Sequence, residues 1–190
     1  QDKYFKGIGE KFSIDECTHS FFGVSKTYAD LIVQEYGKNV GLKTVCFRAG
    51  CVTGPNHSSA KLHGFLSYLV KLSLTKKKYS LIGYKGKQVR DNLHSYDLAN
   101  CFWEFYKKPK KGEVYNIGGG RFSNCSILEA LDLVESIAGL KIKREIVKKP
   151  RVGDHIWYIS NLNKFKKHYS GWKQKYNTKK IIEELIENQI

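Results

Sequence analysis

Methionine is absent from the 190-residue sequence, which opens on Gln1. No apolar run approaches the ~18 residues of a membrane-spanning helix, and the opening stretch QDKYFKGIGEKF is too polar and charged for a signal peptide. These absences predict that the protein does not bind a membrane. The missing initiator residue favours the C-terminal piece of a longer protein, and the alternative is a complete domain trimmed of its start.

Cysteine is scarce and follows no pattern. The five cysteines, at positions 17, 46, 51, 101 and 125, form no CxxC pair. An odd number without paired spacing argues against a disulfide framework or a zinc site, and predicts reduced thiols in the cytoplasm. The six histidines also lack a metal-ligand spacing such as HxxxH. We therefore expect no metal.

Arginine is rare in a strongly basic chain. The net charge is +15, but only 5 of the 33 basic residues are arginine, which leaves 28 lysines. Recognition of phosphates and bases favours arginine, whose planar fork makes two hydrogen bonds at once. The sequence also lacks a recognition helix, an RNA-stacking motif and a zinc finger. We interpret the lysines as a solvated surface and expect no nucleic-acid partner, although steeply salt-dependent binding remains a distant alternative.

Helices and short strands alternate along the chain, which predicts an α/β fold whose strand ends carry the ligand site. The segment 50–64 is a loop by composition, and the apolar helix over 96–106 is expected to pack deeply. A capping box at Ser126 and Glu129 begins another helix, and Gly139 ends it. The remaining predicted helices cover 23–38, 65–74 and 177–190, and the predicted strands cover 42–50, 79–87, 113–120 and 141–147.

The stretch HSFFGVSK (19–26) places Lys26 one helical turn after Phe22, on the same face. An ammonium beside a phenol lowers its pKa and makes an acid/base pair, and the same lysine can bind a ribose. The ring here is phenylalanine and has no proton to give. The alternative is a surface lysine beside a core phenylalanine.

Two arginines stand in predicted loops, each near an aspartate. Arg90 precedes Asp91, and Arg151 precedes Asp154 by three residues. Together they can clamp a diphosphate through charge-assisted bidentate bonds, and the alternative for each is an ion pair with its neighbouring aspartate. The glycine run in YNIGGG indicates tight packing rather than a phosphate cradle.

These motifs, in this order, resemble the extended short-chain dehydrogenase/reductase family of nucleotide-sugar epimerases and dehydratases, and within it most the CDP-tyvelose (CDP-paratose) 2-epimerases. The likeness extends over about residues 17–176. It rests on HSFFGVSK with the following Ala29-Asp30, TVCFRAGCVTGP, GKQVRDNLHSYDL, YNIGG, and the tail from RVGDHIWYIS to Gly171-Trp172.

The resemblance implies the C-terminal part of a Rossmann-type parallel sheet plus a smaller α/β substrate-binding domain. Residues 1–58 would belong to the NAD-binding domain, whose GxGxxG half this chain lacks. Residues 59–190 would be mainly the substrate domain, with 90–120 returning to the Rossmann sheet. It further implies a homodimer formed through the helix that carries Lys26, and a role in surface-polysaccharide sugar synthesis. The fragment alone would be inactive.

The resemblance also assigns roles to residues. Lys26 would hold the nicotinamide ribose of NAD, and Arg48, Ala49, Gly50 and Cys51 would border the nicotinamide and the sugar. Arg90 and Arg151 would grip the diphosphate, with Asp154 near the ribose of the nucleotide. The residues implied to bind the nucleotide-diphosphate sugar are Cys51, Asn56, His57, Lys61, Leu62, His63, Gln88, Arg90, Arg151 and Asp154.

Phe22 departs from the family, because the catalytic acid/base in that position is a tyrosine. Loss of a general base typically costs ~10²–10⁴ in rate. His19 and Ser20 are the nearest catalytic substitutes, with Cys51 as another, whereas Tyr28 faces elsewhere on the helix. We expect epimerisation through a transient keto sugar, with NAD removing and returning a hydride. The alternatives are a 4,6-dehydratase and a non-catalytic nucleotide-sugar binding protein.

Overall fold

The computed structural model describes residues 3–15, 18–57, 64–151 and 153–188. Its helices are α1 (Phe21–Lys38), α2 (Phe65–Leu74), α3 (Ser95–Lys107), α4 (Ile127–Ala138), α5 (Asn163–His168) and α6 (Thr178–Glu187). Its strands are β1 (Val45–Ala49), β2 (Cys51–Thr53), β3 (Tyr79–Ile82), β4 (Val89–His94), β5 (Glu113–Ile117), β6 (Asn124–Ser126), β7 (Arg144–Val147) and β8 (Trp157–Tyr158). Among these residues, no helix combines the length and the apolar composition of a membrane span.

The strands form three small sheets in which parallel pairing dominates. β1 pairs with β5, and β3 pairs with β7, both in parallel. β4 pairs in parallel with β2 through its second half, and its first half pairs with β6 in antiparallel and β8 in parallel. This arrangement of parallel strands with intervening helices confirms the predicted α/β class.

Two hydrophobic clusters hold these elements together. One cluster lies among α2, β3, α4 and α6, and includes Leu69, Leu131 and Ile182, all without exposed surface. The other surrounds β5, where Tyr115 packs with Phe165 of α5. The predicted domain boundary between residues 58 and 59 lies outside the described residues.

The start and the end of α4 follow from its sequence. The Ser126 hydroxyl accepts a hydrogen bond from the backbone N–H of Glu129 at 3.1 Å, and the Glu129 carboxylate accepts one from the Ser126 N–H at 2.6 Å. Gly139 then takes a left-handed conformation with φ of 65°, which ends the helix. The predicted capping box and glycine stop are therefore confirmed.

The structure corrects the prediction that Arg90-Asp91 and the whole of 50–64 are loops. Residues 51–53 form β2, and Arg90 and Asp91 lie inside β4. β4 lacks the apolar pattern of a buried strand, because its buried side chains include Asp91, Asn92 and His94. These side chains form hydrogen bonds instead of apolar contacts. The short elements β6, β8 and α5 were also not predicted.

The expectation that the 96–106 helix packs deeply is wrong. Phe102, Trp103 and Tyr106 of α3 are 50%, 56% and 72% exposed. α3 lies beside β2 and β4 and touches Phe47 of β1 through the Phe102 ring. In the described part of the chain β1 pairs with β5 alone, so this two-stranded sheet is too narrow to cover the aromatic residues of α3.

Candidate active site

The N-terminus of α1 lies beside the turn that carries Gly153. A Cβ placed on Gly153 would be 3.6 Å from the carbonyl oxygen of Thr18. Ser20 caps the helix, and its hydroxyl accepts a hydrogen bond from the Gly23 N–H at 3.0 Å. The His19 ring donates through Nε2 to the carbonyl of Ile14. Both predicted substitutes for the missing tyrosine therefore lie where α1 meets the Gly153 turn.

Phe22 and Lys26 are in contact on the exposed side of α1. The Lys26 ammonium lies 5.3 Å from the centre of the Phe22 ring, and Phe22 is 68% exposed. The predicted alternative of a core phenylalanine is therefore wrong. The pair has the spacing of a lysine and a phenol, but it has no hydroxyl and cannot transfer a proton.

Arg48, one of the predicted cofactor residues, ties α1 to β1. Its Nε and one terminal nitrogen donate to the two carboxylate oxygens of Asp30 at 2.9 and 2.8 Å, and its other terminal nitrogen donates to the carbonyl of Glu10 at 3.0 Å. The hydrogen bonds from Arg48 hold the pKa of Asp30 below its usual value. Arg48 therefore positions the helix that carries Lys26.

Gly50 is the single residue between β1 and β2, so the predicted loop over 48–51 reduces to one position. A Cβ on Gly50 would overlap the carboxylate of Asp91, which is 1% exposed. That carboxylate accepts hydrogen bonds from the backbone N–H groups of Gly120 and Ser160 at 3.0 and 2.9 Å. Burial raises the pKa of Asp91, and raises that of the Cys51 thiol to about 11, so Cys51 is a thiol at neutral pH.

Arg90 forms its ion pair with Asp154, not with its neighbour Asp91. A terminal guanidinium nitrogen of Arg90 lies 2.7 Å from a carboxylate oxygen of Asp154, and the two side chains are 12% and 11% exposed. The Tyr84 hydroxyl donates to the Asp154 carbonyl at 3.2 Å. The structure thus brings together Arg90 and Asp154, which the sequence assigned separately to the diphosphate and the ribose.

Arg151 and Gln88 line one cavity with three aromatic residues. The aromatic residues are Phe65, Tyr68 and Tyr79. Arg151 is exposed at the rim, whereas Gln88 is 5% exposed. Burial raises the pKa of the Tyr79 hydroxyl to about 12, so it remains protonated.

The segment after β2 is described only in part. Asn56 is exposed, and the His57 ring is hydrogen bonded through Nδ1 to the Thr53 hydroxyl at 3.2 Å. The predicted substrate residues Lys61, Leu62 and His63 lie outside the described residues.

A second cleft opens beside Lys26. It has a volume of about 680 Å³ and its lining includes Ala49, Asn116 and Tyr158. Lys26 is one of its lining residues, and its binding of the nicotinamide ribose stays a prediction. The sequence contains no GxGxxG segment to bind the diphosphate of the dinucleotide. Within the described residues, no group of three histidine, cysteine, aspartate or glutamate side chains is placed to hold a metal ion.

The motifs of the sequence did not predict the aromatic side of the Gln88 cavity. Tyr79 begins β3, and Tyr68 lies on α2, so only the packing of α2 against β3 brings them together. The one indication in the sequence that Tyr79 is buried was the alternating pattern of YSLI, in which Tyr79 and Leu81 lie on the buried face.

The profile of the NAD dependent epimerase/dehydratase family matches residues 7–118. The chain belongs to this family. The matched range contains α1 with Lys26, β1, β4 with Arg90, and β5.

Individual relatives include both epimerases and dehydratases. The chain is 26% identical over 188 residues to the CDP-paratose 2-epimerase of Salmonella typhi, covering 95% of this chain and 54% of the relative. It is 25% identical to dTDP-glucose 4,6-dehydratase 1 of Escherichia coli K12, covering 87% of this chain and 46% of the relative. The solved dTDP-glucose 4,6-dehydratase from Bacillus anthracis, in complex with NAD, superposes with a TM-score of 0.78 at 28% identity, covering 97% of this chain and 58% of that structure.

The chain spans about half the length of the curated relatives it matches. The family match over residues 7–118, together with these relatives, confirms the family resemblance predicted from the motifs.

Proposed function

We propose that this chain is the nucleotide-sugar-binding part of an NAD-dependent epimerase of the CDP-tyvelose 2-epimerase type. The observation that carries the proposal is the contact between the start of α1 and the Gly153 turn, because it brings Lys26's helix next to the Arg90–Asp154 pair. The similarity to the Salmonella typhi CDP-paratose 2-epimerase over nearly the whole chain supports the 2-epimerase type. Free thiols at the four described cysteines are compatible with the cytoplasm we expect.

In this proposal Lys26 binds the nicotinamide ribose and Arg90 and Arg151 bind the diphosphate. Asp154, which already accepts a charged hydrogen bond from Arg90, would also accept from a ribose hydroxyl. NAD, when bound, supplies hydride removal from a sugar carbon and its return to the opposite face.

The proton of the oxidised sugar hydroxyl needs an acceptor that Phe22 cannot provide. An imidazole such as that of His19 can accept a proton as a general base, and the Ser20 hydroxyl lies one residue further along. We assign the proton to the His19 ring at the start of α1, reached directly or through the Ser20 hydroxyl, which can relay a proton but not keep it.

Two other functions have their own support. A 4,6-dehydratase is favoured by the Escherichia coli and Bacillus anthracis relatives. A binding protein without catalysis is favoured by Phe22, which lacks the acid/base hydroxyl. The 2-epimerase type is preferred because the Salmonella typhi protein matches 95% of this chain, against 87% for the Escherichia coli dehydratase.

Proton NMR distinguishes the three functions. The full-length protein proposed to contain this chain is incubated, with NAD, with CDP-paratose and a panel of other nucleotide sugars. A new anomeric signal from an epimer supports the epimerase, whereas a 4-keto-6-deoxy product supports the dehydratase. Saturable nucleotide-sugar binding without any conversion contradicts both enzymes and supports the binding protein.

A homodimer through α1 is part of the same proposal. The exposed side of this helix carries several large apolar residues among its polar ones. Its exposed residues include Phe21, Val24, Tyr28, Leu31 and Tyr36. Light scattering on Tyr28→Glu should show a shift from dimer to monomer, and Tyr106→Glu on α3 should leave the dimer intact. A monomeric wild-type protein would contradict this part of the proposal.

A further inference from the structure

Lysine side chains gather at the end of the molecule where β1 and β5 begin. The two strands run in parallel and start side by side. A Cβ on Gly112, which directly precedes β5, would lie 3.0 Å from the side chain of Lys38, the last residue of α1. A Cβ on Gly41 would lie 3.5 Å from the Lys111 ammonium. The end of α1 and the turn before β5 therefore present their lysines together.

The helix α5 adds further lysines to the same end. Lys164 lines one open cavity with Lys38 and Lys111. The hydroxyl of Tyr169, which directly follows α5, donates to the carbonyl of Lys108 at 3.1 Å. The turn after α3 and the helix α5 are therefore in contact.

The charges at this end act on one another. His168 is the last residue of α5, and partial burial together with the charges of Lys110, Lys164 and Lys167 lowers its pKa. The three ammonium groups therefore lie close enough to His168 to repel its proton. These lysines form one surface, the basic end, which consists of Lys38, Lys108, Lys110, Lys111, Lys164 and Lys167.

Most charges of the basic end have no counter-charge. Lys164 pairs with Glu113 at 2.7 Å. No carboxylate pairs with the other five lysines in the described part of the chain, and Lys38 donates to the amide oxygen of Gln34 at 2.9 Å. An excess of positive charge over such an area attracts a surface of the opposite sign.

Two aromatic residues border the basic end. Trp103 and Tyr106 lie near the C-terminus of α3, just before the lysines that follow this helix, and both are more than half exposed. Their rings stack on each other with centres 5.4 Å apart. Tryptophan and tyrosine enter the interface of a bilayer, and lysines beside them reach the lipid phosphates. A nucleic acid fits this surface less well, since recognition of phosphates and bases favours arginine.

We propose that the basic end, with Trp103 and Tyr106, binds the surface of an anionic phospholipid bilayer. The sequence predicted no membrane partner because it offers no spanning segment, and a surface contact needs none. The carboxyl ends of β1 and β5, where Gly50 meets Asp91, lie at the opposite end of these strands. A bound protein therefore keeps the proposed nucleotide-sugar site open to water. This inference does not rest on the proposed function.

Co-sedimentation with vesicles tests the proposal on the full-length protein proposed to contain this chain. Vesicles of phosphatidylglycerol and phosphatidylcholine in equal parts should bind the protein at low salt, and added salt should weaken the binding. Pure phosphatidylcholine vesicles should not bind it. Absence of binding to the mixed vesicles, or equal binding to both kinds, would overturn the proposal.

A triple variant locates the contact. Lys108→Gln, Lys110→Gln and Lys111→Gln together should weaken binding to the mixed vesicles by about 100-fold, since each lysine near an anionic surface contributes about fivefold. Its thermal unfolding midpoint should equal that of the wild type, because none of the three ammonium groups has an ion pair to lose.

The matched control removes the same charge elsewhere. Lys76→Gln, Lys77→Gln and Lys78→Gln together, in the turn between α2 and β3, should weaken vesicle binding by no more than about threefold. Equal losses in the two triple variants would mean that net charge alone attracts the protein, and would overturn the assignment to the basic end.

Tryptophan fluorescence tests the aromatic part of the contact. The emission should move to shorter wavelength on the mixed vesicles, and Trp103→Phe should remove this movement although Trp157 and Trp172 remain. An unchanged movement in the variant would exclude Trp103 from the contact.

A competing polyanion separates lipid from nucleic acid. A single-stranded RNA of mixed sequence should bind the protein more weakly than the mixed vesicles do. Tighter binding of the RNA, lost in the variant at 108, 110 and 111, would overturn the lipid assignment in favour of a nucleic-acid partner.

Discussion

Lys26 holds its ammonium 5.3 Å from the centre of the Phe22 ring, one helical turn away on α1. A hydroxyl on that ring would bring a phenol close to a fixed positive charge. The geometry for acid/base chemistry is therefore present, and one oxygen atom is missing.

We expect Phe22→Tyr to increase the turnover of the proposed epimerase by ~10²–10⁴-fold, because it restores a general base beside Lys26. Ultraviolet titration should also give the new tyrosine a pKa below its ordinary value of about 10. Adding Lys26→Met to this variant should return the pKa to that value. An unchanged rate with a normal tyrosine pKa would show that the position lies outside the active site.

Gly50 is required by the closeness of the Asp91 carboxylate, where a Cβ would overlap it. We expect Gly50→Ala to lower the free energy of unfolding by about 2 kcal/mol, since the buried carboxylate cannot move without losing its two backbone donors. Urea denaturation measures this change. Gly171→Ala, whose Cβ would meet nothing within 4 Å, is the matched control and should stay within about 0.5 kcal/mol of wild type. Equal effects at the two positions would contradict the clash.

The Arg90–Asp154 pair should behave as a coupled unit in unfolding. Arg90→Met or Asp154→Leu alone leaves one nearly buried charge without its partner, and we expect each to cost about 3 kcal/mol. The double variant should cost clearly less than the sum, which a double-mutant cycle in urea detects. Strictly additive losses would mean that the pair contributes no coupling.

Glu135 makes the stability of the protein depend on acid pH. It accepts hydrogen bonds from Lys141, Arg144 and the backbone N–H of Ile142, and these lower its pKa from 4.5 to about 2. Because the folded-state pKa lies below the unfolded one, the stabilisation is complete above pH 4.5 and is lost as the pH falls from 4.5 to about 2.

The Glu135→Gln variant tests this dependence. It should be less stable than wild type by roughly 2 kcal/mol at neutral pH, with the difference shrinking in acid as the wild-type carboxylate becomes protonated. Thermal unfolding midpoints at pH 7, 4 and 3 measure the convergence. Parallel midpoint curves for the two proteins would refute the assignment.

Local signals in the sequence sufficed for five of the six described helices, but not for α5, β4 or the site. The 3.6-residue apolar period of α1 and the capping box of α4 involve residues within a few positions of one another, so they can be recognised directly in the sequence. β4 was missed because Asp91 and His94 are buried through hydrogen bonds to distant segments. The ion-pair partner of Arg90, Asp154, lies 64 residues away along the chain, so no local pattern in the sequence indicates the pair.

For the candidate site, the sequence likewise names individual residues but not the packing contacts between them. The motif order was enough to identify the family, and it names Lys26, Arg90 and Gln88 as candidates whose roles stay predictions. The aromatic wall beside Gln88 depends on α2 packing on β3, and no motif spans that contact. That Arg48 anchors α1 could be recognised only from its hydrogen bond to Asp30 in the folded chain.

The one-residue step at Gly50 has a mechanical consequence. Because only one residue separates β1 from β2, neither strand can shift along its axis without displacing the other. β2 is hydrogen bonded to β4, and β1 is clamped to α1 through Arg48 and Asp30. Arg90 of β4 and the helix that carries Lys26 are therefore joined by an unbroken series of a strand pairing, a one-residue chain connection and an ion pair.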